Sequence, residues 1–266
     1  MTTTHMYAVP DGQSVSAHEG LNSLGKALHL LSVFAEQGPW LSGSALARAA
    51  GLPKTTVFRL LAQLMDAGYV VRSEARYGLS LHVFELGSRV PVCQRRGLRD
   101  VAQPHLGGLL VRPECVVHLA VLDGGDVVYL DKVRGPQSVA MPSVVGGRLP
   151  ATCSGVGKAM LAYAEPGRIR QLTADGLPRL TSRSIDTPRL LDRQLQRIRS
   201  AGVAFDRGEA APGLTCVAAP VLAGGQVVGA ISVAGPAHGF NPMSAAAEVR
   251  SAAAAISRSF AAGLSA

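Results

Sequence analysis

The sequence has no long hydrophobic run, few cysteines and few charged residues. No apolar run reaches the ~18–20 residues that a membrane-spanning helix needs, which excludes an integral membrane protein. Residues 1–20 lack a basic start followed by an apolar run, so we expect no secretory signal there. The four cysteines are widely spaced along 266 residues, which favours free thiols in a reducing cytoplasm over a disulfide framework. Charged residues make up 17 % of the chain and apolar residues 47 %, which excludes a chain that is disordered throughout.

Positive charge is present, and it is concentrated near the start of the chain. The net charge is +8, made up of −2 over residues 1–20, +6 over residues 21–99 and +4 over residues 100–266. A basic chain is compatible with nucleic-acid binding but does not prove it. Since the density of positive charge is highest in residues 21–99, a nucleic-acid-binding motif is expected there.

The pattern of residues 21–82 predicts three short helices followed by a two-stranded ribbon. Leucines recur at helical spacing from Leu21, Ser23 is the predicted N-cap, and Gly38 with Pro39 ends that helix. The other predicted elements are a helix after Ser42 or Gly43 that Gly51 ends, a helix over Lys54–Ala67, and strands over Tyr69–Arg72 and Arg76–Leu79. This order of elements indicates a winged helix-turn-helix domain, which is mainly α-helical.

The start of the third predicted helix carries the side chains that DNA recognition needs. In a helix-turn-helix, the second helix of the pair places its N-terminal residues in the major groove. Arg59 falls on the outward face, where its guanidinium could bond guanine O6 and N7. Each arginine alone is more often an ordinary surface residue, and the ordered set carries the prediction. The predicted DNA-binding residues, including two that bracket the ribbon turn, are Lys54, Thr55, Thr56, Arg59, Arg72 and Arg76.

The rest of the chain predicts a linker and an α+β domain. Residues 1–20 are predicted to form a flexible arm, residues 83–103 a linker helix with a kink at Pro91, and Pro104 to precede a short helix over 105–110. Hairpins alternate with helices over residues 104–263, which indicates an antiparallel sheet. The clearest elements are hairpins over Val116–Leu122 with Val127–Val133 and Val217–Leu222 with Val227–Ala234, and helices from Gly155, Pro188 and Ala245.

Several of these segments together resemble the IclR-type transcriptional regulators. The matching stretches are Gly51–Leu61 with Gly68–Val70, Ser154–Ala159, Thr181–Leu190, Gly202 with Asp206 and Glu209, and Gly213–Pro220. The resemblance implies a winged-helix DNA-binding domain, a linker helix and a GAF-like effector-binding domain with a curved antiparallel sheet. It also implies a homodimer or homotetramer on palindromic DNA operators. We expect no catalytic activity, cofactor or metal.

The resemblance also implies where a small-molecule effector binds. The positions that match the effector pocket of the family are Gly155, Val156, Asp206, Leu214, Cys216 and Ser232. The sequence departs from one relative in the family at Ala234, where a second serine is expected, and this suggests a less polar pocket for a larger or more apolar ligand. From the residues themselves, the glycine-containing helix start at Ser154 suits a carboxylate or is a plain helix turn. Arg148 is either a counter-ion for that carboxylate or a surface residue.

Other functional interpretations are weaker. The segment from Ser154 to Lys158 lacks the first glycine and the Ser or Thr of a phosphate-binding loop. Cys153, Cys216 and His118 lack metal-ligand spacing, and Asp206 with Glu209 are expected in a loop without another partner for acid–base catalysis. We therefore expect a ligand-responsive regulator of catabolic or metabolic genes. The alternatives are an architectural DNA binder with a vestigial sensor domain and, less favoured, an enzyme with a DNA-binding module.

Overall fold

The computed structural model describes residues 21–110 and 112–264, and the predicted arm over 1–20 lies outside them. Within these ranges the chain forms two compact units, which divide between Val90 and Pro91, each with its own hydrophobic core. No helix in the described ranges combines the length and apolarity that a membrane crossing requires.

The first unit is a three-helix domain with a small sheet and a short final helix. Its elements are α1 (Ser23–Gln37), β1 (Leu41–Ser42), α2 (Gly43–Ala50), α3 (Lys54–Asp66), β2 (Val70–Ser73), β3 (Arg76–Leu79) and α4 (Leu81–Gly87). The strands are antiparallel in the order β1-β3-β2. The sheet therefore has a third strand, β1, which was not predicted because it is only two residues long. Leu30, Phe34, Leu46 and Leu60 form the centre of the core.

Local capping explains where these helices begin and end. Asn22, and not the predicted Ser23, caps α1, because its side-chain oxygen accepts a hydrogen bond from the N–H of Gly25 at 2.9 Å. Ser42 caps α2 in the same way, with a bond of 3.2 Å. Gly51 ends α2 with a φ of 63°, a left-handed conformation that glycine adopts without a Cβ clash.

The prediction of one linker helix over residues 83–103 is wrong, because the segment is divided between two helices. α4 ends before Pro91, which begins a 3-10 turn, and the next helix is α5 (Leu98–Leu106). Proline has no N–H to donate, so Pro91 cannot continue α4. A helix start after Pro104 is also wrong, because Pro104 lies inside α5. Burial of the apolar face of α5, with Ala102 at its centre, outweighs the hydrogen bond that Pro104 cannot make.

The second unit is built on a six-stranded antiparallel sheet in the order β6-β5-β4-β9-β8-β7. Its elements after α5 are β4 (Val116–Asp123), β5 (Asp126–Arg134), β6 (Arg148–Pro150), α6 (Gly155–Leu161), α7 (Pro166–Thr173), α8 (Pro188–Ala201), β7 (Ala204–Arg207), β8 (Leu214–Ala223), β9 (Gln226–Pro236) and α9 (Ala246–Leu264). The two predicted hairpins are β4–β5 and β8–β9. Gly224 and Gly225 turn the second one with φ values of 57° and 80°, which a tight primed turn requires.

Helices cover both faces of this sheet, and strand alternation decides which side chains meet them. Val117 and Leu119 of β4 belong to the core that includes residues of α5 and α9. Ala120 belongs to the core on the opposite face, which includes residues of α6 and α8. Because side chains alternate along a strand, His118 lies on the same face as Ala120. A polar side chain therefore lies on the α6 side of the sheet.

Candidate functional site

The start of α3 presents an exposed polar face above a buried apolar one. Helical spacing predicts an apolar face on α3, and its four residues are buried in the core of the first unit, namely Val57, Leu60, Leu61 and Leu64. Lys54, Thr55 and Arg59 are exposed, and Thr56 is half-buried. The guanidinium of Arg59 donates a hydrogen bond of 3.3 Å to the hydroxyl of Ser23, which positions it beside the start of α1. These four predicted DNA-binding residues thus share one accessible helix start.

The neighbouring Phe58 is part packing residue and part surface. It is 47 % exposed, and its ring meets Tyr77 edge-on with the ring centroids 6.5 Å apart. A Cβ atom at Gly43 would come within 2.7 Å of the Phe58 ring, so glycine there leaves the space for this aromatic contact. Phe58 therefore fastens α3 to the wing and to the start of α2.

The two predicted arginines of the wing have different surroundings. The Nε of Arg72 donates to the carbonyl of Glu74 at 2.8 Å, and its guanidinium lies 5.7 Å from the ring centre of Tyr77. Glu74 has a φ of 53°, so this bond closes a turn in the left-handed conformation. Arg72 thus shapes the turn of the wing, while Arg76 is exposed at the start of β3.

A small cavity of about 40 Å³ lies in the second unit, bounded by the sheet and the start of α6. All six positions that the family resemblance assigns to the effector pocket line it, namely Gly155, Val156, Asp206, Leu214, Cys216 and Ser232. Ala234, where the sequence departs from one relative in the family, lines it as well.

Strand register explains why residues distant in sequence meet here. Asp206 pairs with Cys216 and Cys216 with Ala234, so their side chains form one row across β7, β8 and β9. Ser232 pairs with His118 and forms a second row on the same face. The cavity floor therefore consists of two cross-strand rows. The first row has its polar group, Asp206, on β7, and the second has its polar groups, Ser232 and His118, on β9 and β4.

The predicted set lacks several lining residues, and His118, Tyr129 and Ser143 are among them. The two ring nitrogens of His118 contact the hydroxyls of Ser143 at 2.8 Å and Ser232 at 3.3 Å. Its ring centre is 5.2 Å from that of Tyr129. Alternation along β4 could have identified His118, a polar side chain in an otherwise apolar strand. Ser143 lies outside the helices and strands, and no periodic pattern marks it.

A buried ion pair lies next to the cavity. Lys158 of α6 is fully buried, and its ammonium contacts both carboxylate oxygens of Glu209 at 2.5 and 2.6 Å. The same ammonium donates to the carbonyl of Phe205 at 2.8 Å and to the side chain of Gln194 at 3.0 Å. The N–H of Glu209 donates to Asp206 at 2.7 Å, which links the pair to the cavity wall.

The expectation that Asp206 lies in a loop is wrong, and so is the expectation that the pair has no other partner, whereas Glu209 does lie in the segment between β7 and β8. Asp206 belongs to β7, a strand that polar flanking residues concealed in the sequence. The Glu209 carboxylate is held by Lys158, so it is not free to exchange protons with a substrate. Asp206 faces the cavity, and Glu209 holds the network next to it.

Burial shifts the protonation of the two opposed groups in the cavity. Desolvation, with a smaller contribution from the Glu209 charge, raises the pKa of Asp206 to about 6 although its backbone hydrogen bonds and Lys158 oppose the rise. Desolvation and the positive charges of Lys132 and Arg134 lower the pKa of His118 to about 3. At neutral pH the cavity therefore contains a carboxylate at Asp206 and an uncharged imidazole at His118.

The structure does not support two other sites that the sequence suggested, a counter-ion at Arg148 and a thiol or metal site at Cys153. The guanidinium of Arg148 contacts the carboxylates of Asp123 and Asp126 at the β4–β5 turn, so it is a surface residue. The thiol of Cys153 donates to the carbonyl of Pro178 at 3.0 Å, and Cys153 does not line the cavity that Cys216 lines. Within the described ranges no group of His, Cys, Asp and Glu side chains could hold a metal ion.

We expect Asp206→Asn to raise the free energy of unfolding at pH 8 by on the order of 2 kcal/mol. Because the native pKa lies above the ordinary 3.8, the native state binds the proton more tightly, and wild-type stability falls as the pH rises through about 6. Asparagine keeps an oxygen for the Glu209 N–H and carries no charge. Urea unfolding between pH 4 and pH 8 measures this, with the exposed Asp192→Asn as control, and a gain that is equal at both pH values would contradict it.

The two units together define a class of protein. A winged-helix domain with an exposed polar helix start, joined in one chain to an α+β domain with a lined cavity, is a DNA-binding transcriptional regulator with a ligand-binding domain. The family model described as the IclR helix-turn-helix domain matches residues 23–74, and that described as the bacterial transcriptional regulator IclR C-terminal domain matches residues 90–258. The chain belongs to the IclR family, and the predicted fold class and family are confirmed.

Relatives of known sequence and structure agree with this assignment. The chain is 33 % identical over 222 residues to the transcriptional repressor IclR of Escherichia coli K12, covering 81 % of this chain and 80 % of that protein. It is 31 % identical to the repressor AllR of Klebsiella pneumoniae, covering 91 % and 90 %. The structure of an IclR homologue from Microbacterium hydrocarbonoxydans complexed with 4-hydroxybenzoate superposes with a TM-score of 0.81 at 26 % identity, covering 91 % of this chain and 100 % of that one.

Proposed function

We propose that the protein is a cytoplasmic, ligand-responsive repressor of catabolic or metabolic genes, which binds a palindromic DNA operator and senses a small organic acid. The observation that carries the proposal is the cavity lined by all six predicted effector positions, in a chain that also carries an exposed recognition helix. An effector changes operator affinity only if it binds the DNA-competent and DNA-incompetent states unequally.

In the DNA-binding domain, the start of α3 supplies the residue that contacts bases, and both the start of α3 and the wing supply contacts to the DNA backbone. We assign direct base contact to Arg59 and backbone contact to Lys54, Thr55, Thr56 and Arg76. Arg72 supports the wing turn, and its charge adds to the phosphate-binding surface. We keep residues 21–82 as the DNA-binding domain and 104–263 as the effector-binding domain.

The exposed apolar side chains of the first unit support a dimer. Of the sixteen large apolar side chains that are exposed in the described ranges, eleven lie within residues 21–90. Leu24 and Leu28 on α1 are 66 % and 55 % exposed, and Leu81 and Phe84 on α4 are 79 % and 70 % exposed. Such a concentration is unusual for a surface that faces only water. A second copy of the chain is the partner that a palindromic operator requires.

The cavity lining supports an acid that carries an apolar body. Leu149, Val156, Leu214 and Ala234 supply apolar walls, and Ala234 offers no hydroxyl where one relative is expected to have a serine. The relative from Microbacterium hydrocarbonoxydans was crystallised with 4-hydroxybenzoate, an aromatic acid. An aromatic or similarly apolar organic acid therefore fits the lining better than a short aliphatic acid.

The proposal is tested by binding purified protein to the DNA upstream of its own gene, with excess random DNA as competitor, at two salt concentrations. We expect a competitor-resistant complex that footprints on a palindrome and weakens with salt as phosphate contacts are screened. A panel of organic acids should then release or tighten this complex. Binding that random DNA removes completely, with no response to any acid, would instead favour an architectural DNA binder.

Replacing Arg59 by alanine should weaken operator binding by roughly 1–3 kcal/mol and relax preference at one base position. The reason is the loss of two hydrogen bonds to a guanine edge, which random DNA does not offer in register. Titration of operator and random DNA measures the difference, with the exposed Arg89→Ala as matched control. An equal small loss on every DNA sequence would assign Arg59 to the phosphates.

A further inference from the structure

A groove of about 380 Å³ lies at the edge of the sheet in the second unit, between α8 and β7. β7 is the last strand of this sheet, so only one of its two sides is paired with another strand. The volume is within the range of sites that hold small molecules. None of the predicted effector positions lines the groove, so it is separate from the cavity described above.

The groove has an uncompensated positive charge. Arg197 of α8 and Arg207 of β7 are exposed and line it. Among the described residues, neither guanidinium forms an ion pair with a carboxylate. Glu209 also lines the groove, but both of its carboxylate oxygens contact the ammonium of Lys158. An anion in the groove would therefore be attracted by two guanidiniums that have no other counter-ion.

Neighbouring side chains add to this positive charge. Arg189 and Arg193 precede Arg197 at intervals of four residues, so three exposed arginines recur along α8. Arg183 donates to the carbonyl of Arg207 at 3.3 Å and places a further guanidinium beside β7. Positive potential of this kind raises the local concentration of small anions.

The lining of the groove fits a phosphate group that is attached to an apolar body. Guanidinium groups bind phosphate oxygens through two parallel N–H bonds. The guanidinium of Arg207 lies 5.9 Å from the ring centre of Phe205, which orients one of the two donors. Ile198, Val203 and Phe205 supply apolar surface next to the arginines. A small phosphate monoester carries both the charge and the apolar body that this lining favours.

Two kinds of macromolecular partner fit this edge less well. A peptide that adds a strand to β7 needs free backbone carbonyls as acceptors. The carbonyl of Phe205 already accepts from Lys158 at 2.8 Å, and that of Arg207 accepts from Arg183. A DNA backbone is bound through charge, so it makes no use of an apolar floor. A small molecule is therefore the occupant that uses both the arginines and the floor.

We propose that the groove between α8 and β7 is a second small-molecule site, in which Arg197 and Arg207 bind the phosphate group of a phosphate monoester. The apolar part of the ligand lies against Ile198 and Phe205. Because the site is separate from the cavity that the proposed function uses, the protein can hold this ligand in addition to an organic acid.

The test is calorimetric titration of the full-length protein with phenyl phosphate and with inorganic phosphate, which lacks the apolar body. We expect the wild-type protein to bind phenyl phosphate more tightly than inorganic phosphate, and both affinities to fall at high salt. Arg197→Met and Arg207→Met should each weaken phenyl phosphate binding by a factor of about ten or more, because each removes hydrogen bonds to a charged group.

Two controls separate the groove from the rest of the surface and from the cavity. Arg193→Met removes an exposed arginine of the same helix that does not line the groove, and it should weaken phenyl phosphate binding by no more than about twofold. Ser232→Ala changes the cavity and leaves the groove intact, so it should not change this affinity. An unchanged thermal midpoint confirms that each variant is folded.

Three results would overturn the inference. The first is wild-type protein that binds neither phosphate compound. The second is phenyl phosphate binding that Ser232→Ala weakens and Arg197→Met does not, because the compound then lies in the cavity. The third is weaker operator binding by Arg197→Met and Arg207→Met with unchanged phenyl phosphate binding, which would assign these arginines to DNA. Protein that binds phenyl phosphate in the groove but responds to no organic acid would support this inference and contradict the proposed function.

Discussion

Replacing Lys158 by methionine is expected to lower the free energy of unfolding of the second unit by about 3–5 kcal/mol. The variant leaves the Glu209 carboxylate, which is 8 % exposed, without its counter-ion in the interior. It also removes the bonds to Phe205 and Gln194. The loss is large because removing one member of a buried pair strands the other charge, whatever the net contribution of the intact pair.

Hydrogen exchange of the α6 and β7 amides under increasing urea measures this loss. The fluorescence of Trp40, the single tryptophan of the chain, reports on the first unit separately. Lys158→Met combined with Glu209→Gln should recover at least half of the loss, since the side chain at position 209 then carries no charge that needs the missing counter-ion. Arg193→Met should change stability by no more than about 0.5 kcal/mol. A double variant as unstable as Lys158→Met would show that packing, and not charge, explains the effect.

Replacing both Leu28 and Phe84 by serine should convert the protein to a monomer and weaken binding to a palindromic operator by ~10²–10⁴-fold. Both side chains are already more than half exposed, so the fold of the first unit loses little. What the variant loses is the apolar contact that the proposed dimer buries. A monomer binds each half-site independently, without the raised effective concentration of a tethered second domain.

Sedimentation velocity and titrations of a full and a half operator measure these two effects. Affinity for the half operator should be unchanged, because α3 and the wing are untouched. Leu190→Ser on α8, which removes an apolar side chain that is 43 % exposed in the other unit, is the matched control. A double variant that remains dimeric would place the dimer contact on another surface.

Local signals in the sequence predicted most of the fold. Helical spacing of leucines gave α3 with its four buried positions, and glycine turns gave both long hairpins, because period and turn chemistry are encoded locally. The predictions that were wrong or missing concern features that depend on tertiary contacts. Pro104 lies inside α5 because packing outweighs its missing N–H, and the two-residue β1 exists only because β3 pairs with it.

The candidate cavity was predicted only in part: the residues themselves indicated the helix start at Ser154, and the family resemblance supplied the set of lining positions. Composition and spacing alone do not place Asp206 beside Gly155, since their proximity depends on the order of strands in the sheet. His118 and Ser143 were not predicted as lining residues for the same reason. The buried ion pair of Lys158 with Glu209 was not predicted. A lysine near the start of a helix is usually exposed, and only the structure shows that this one is buried.

The pairing of β4 with β9 has a consequence for the order of events during synthesis. Val116 pairs with Ala234, so the centre of the sheet cannot close until nearly the whole chain has left the ribosome. The first unit, in contrast, finds all the partners of its core within residues 21–90. A nascent chain can therefore hold a finished winged-helix domain at a time when the cavity that would report the effector does not yet exist.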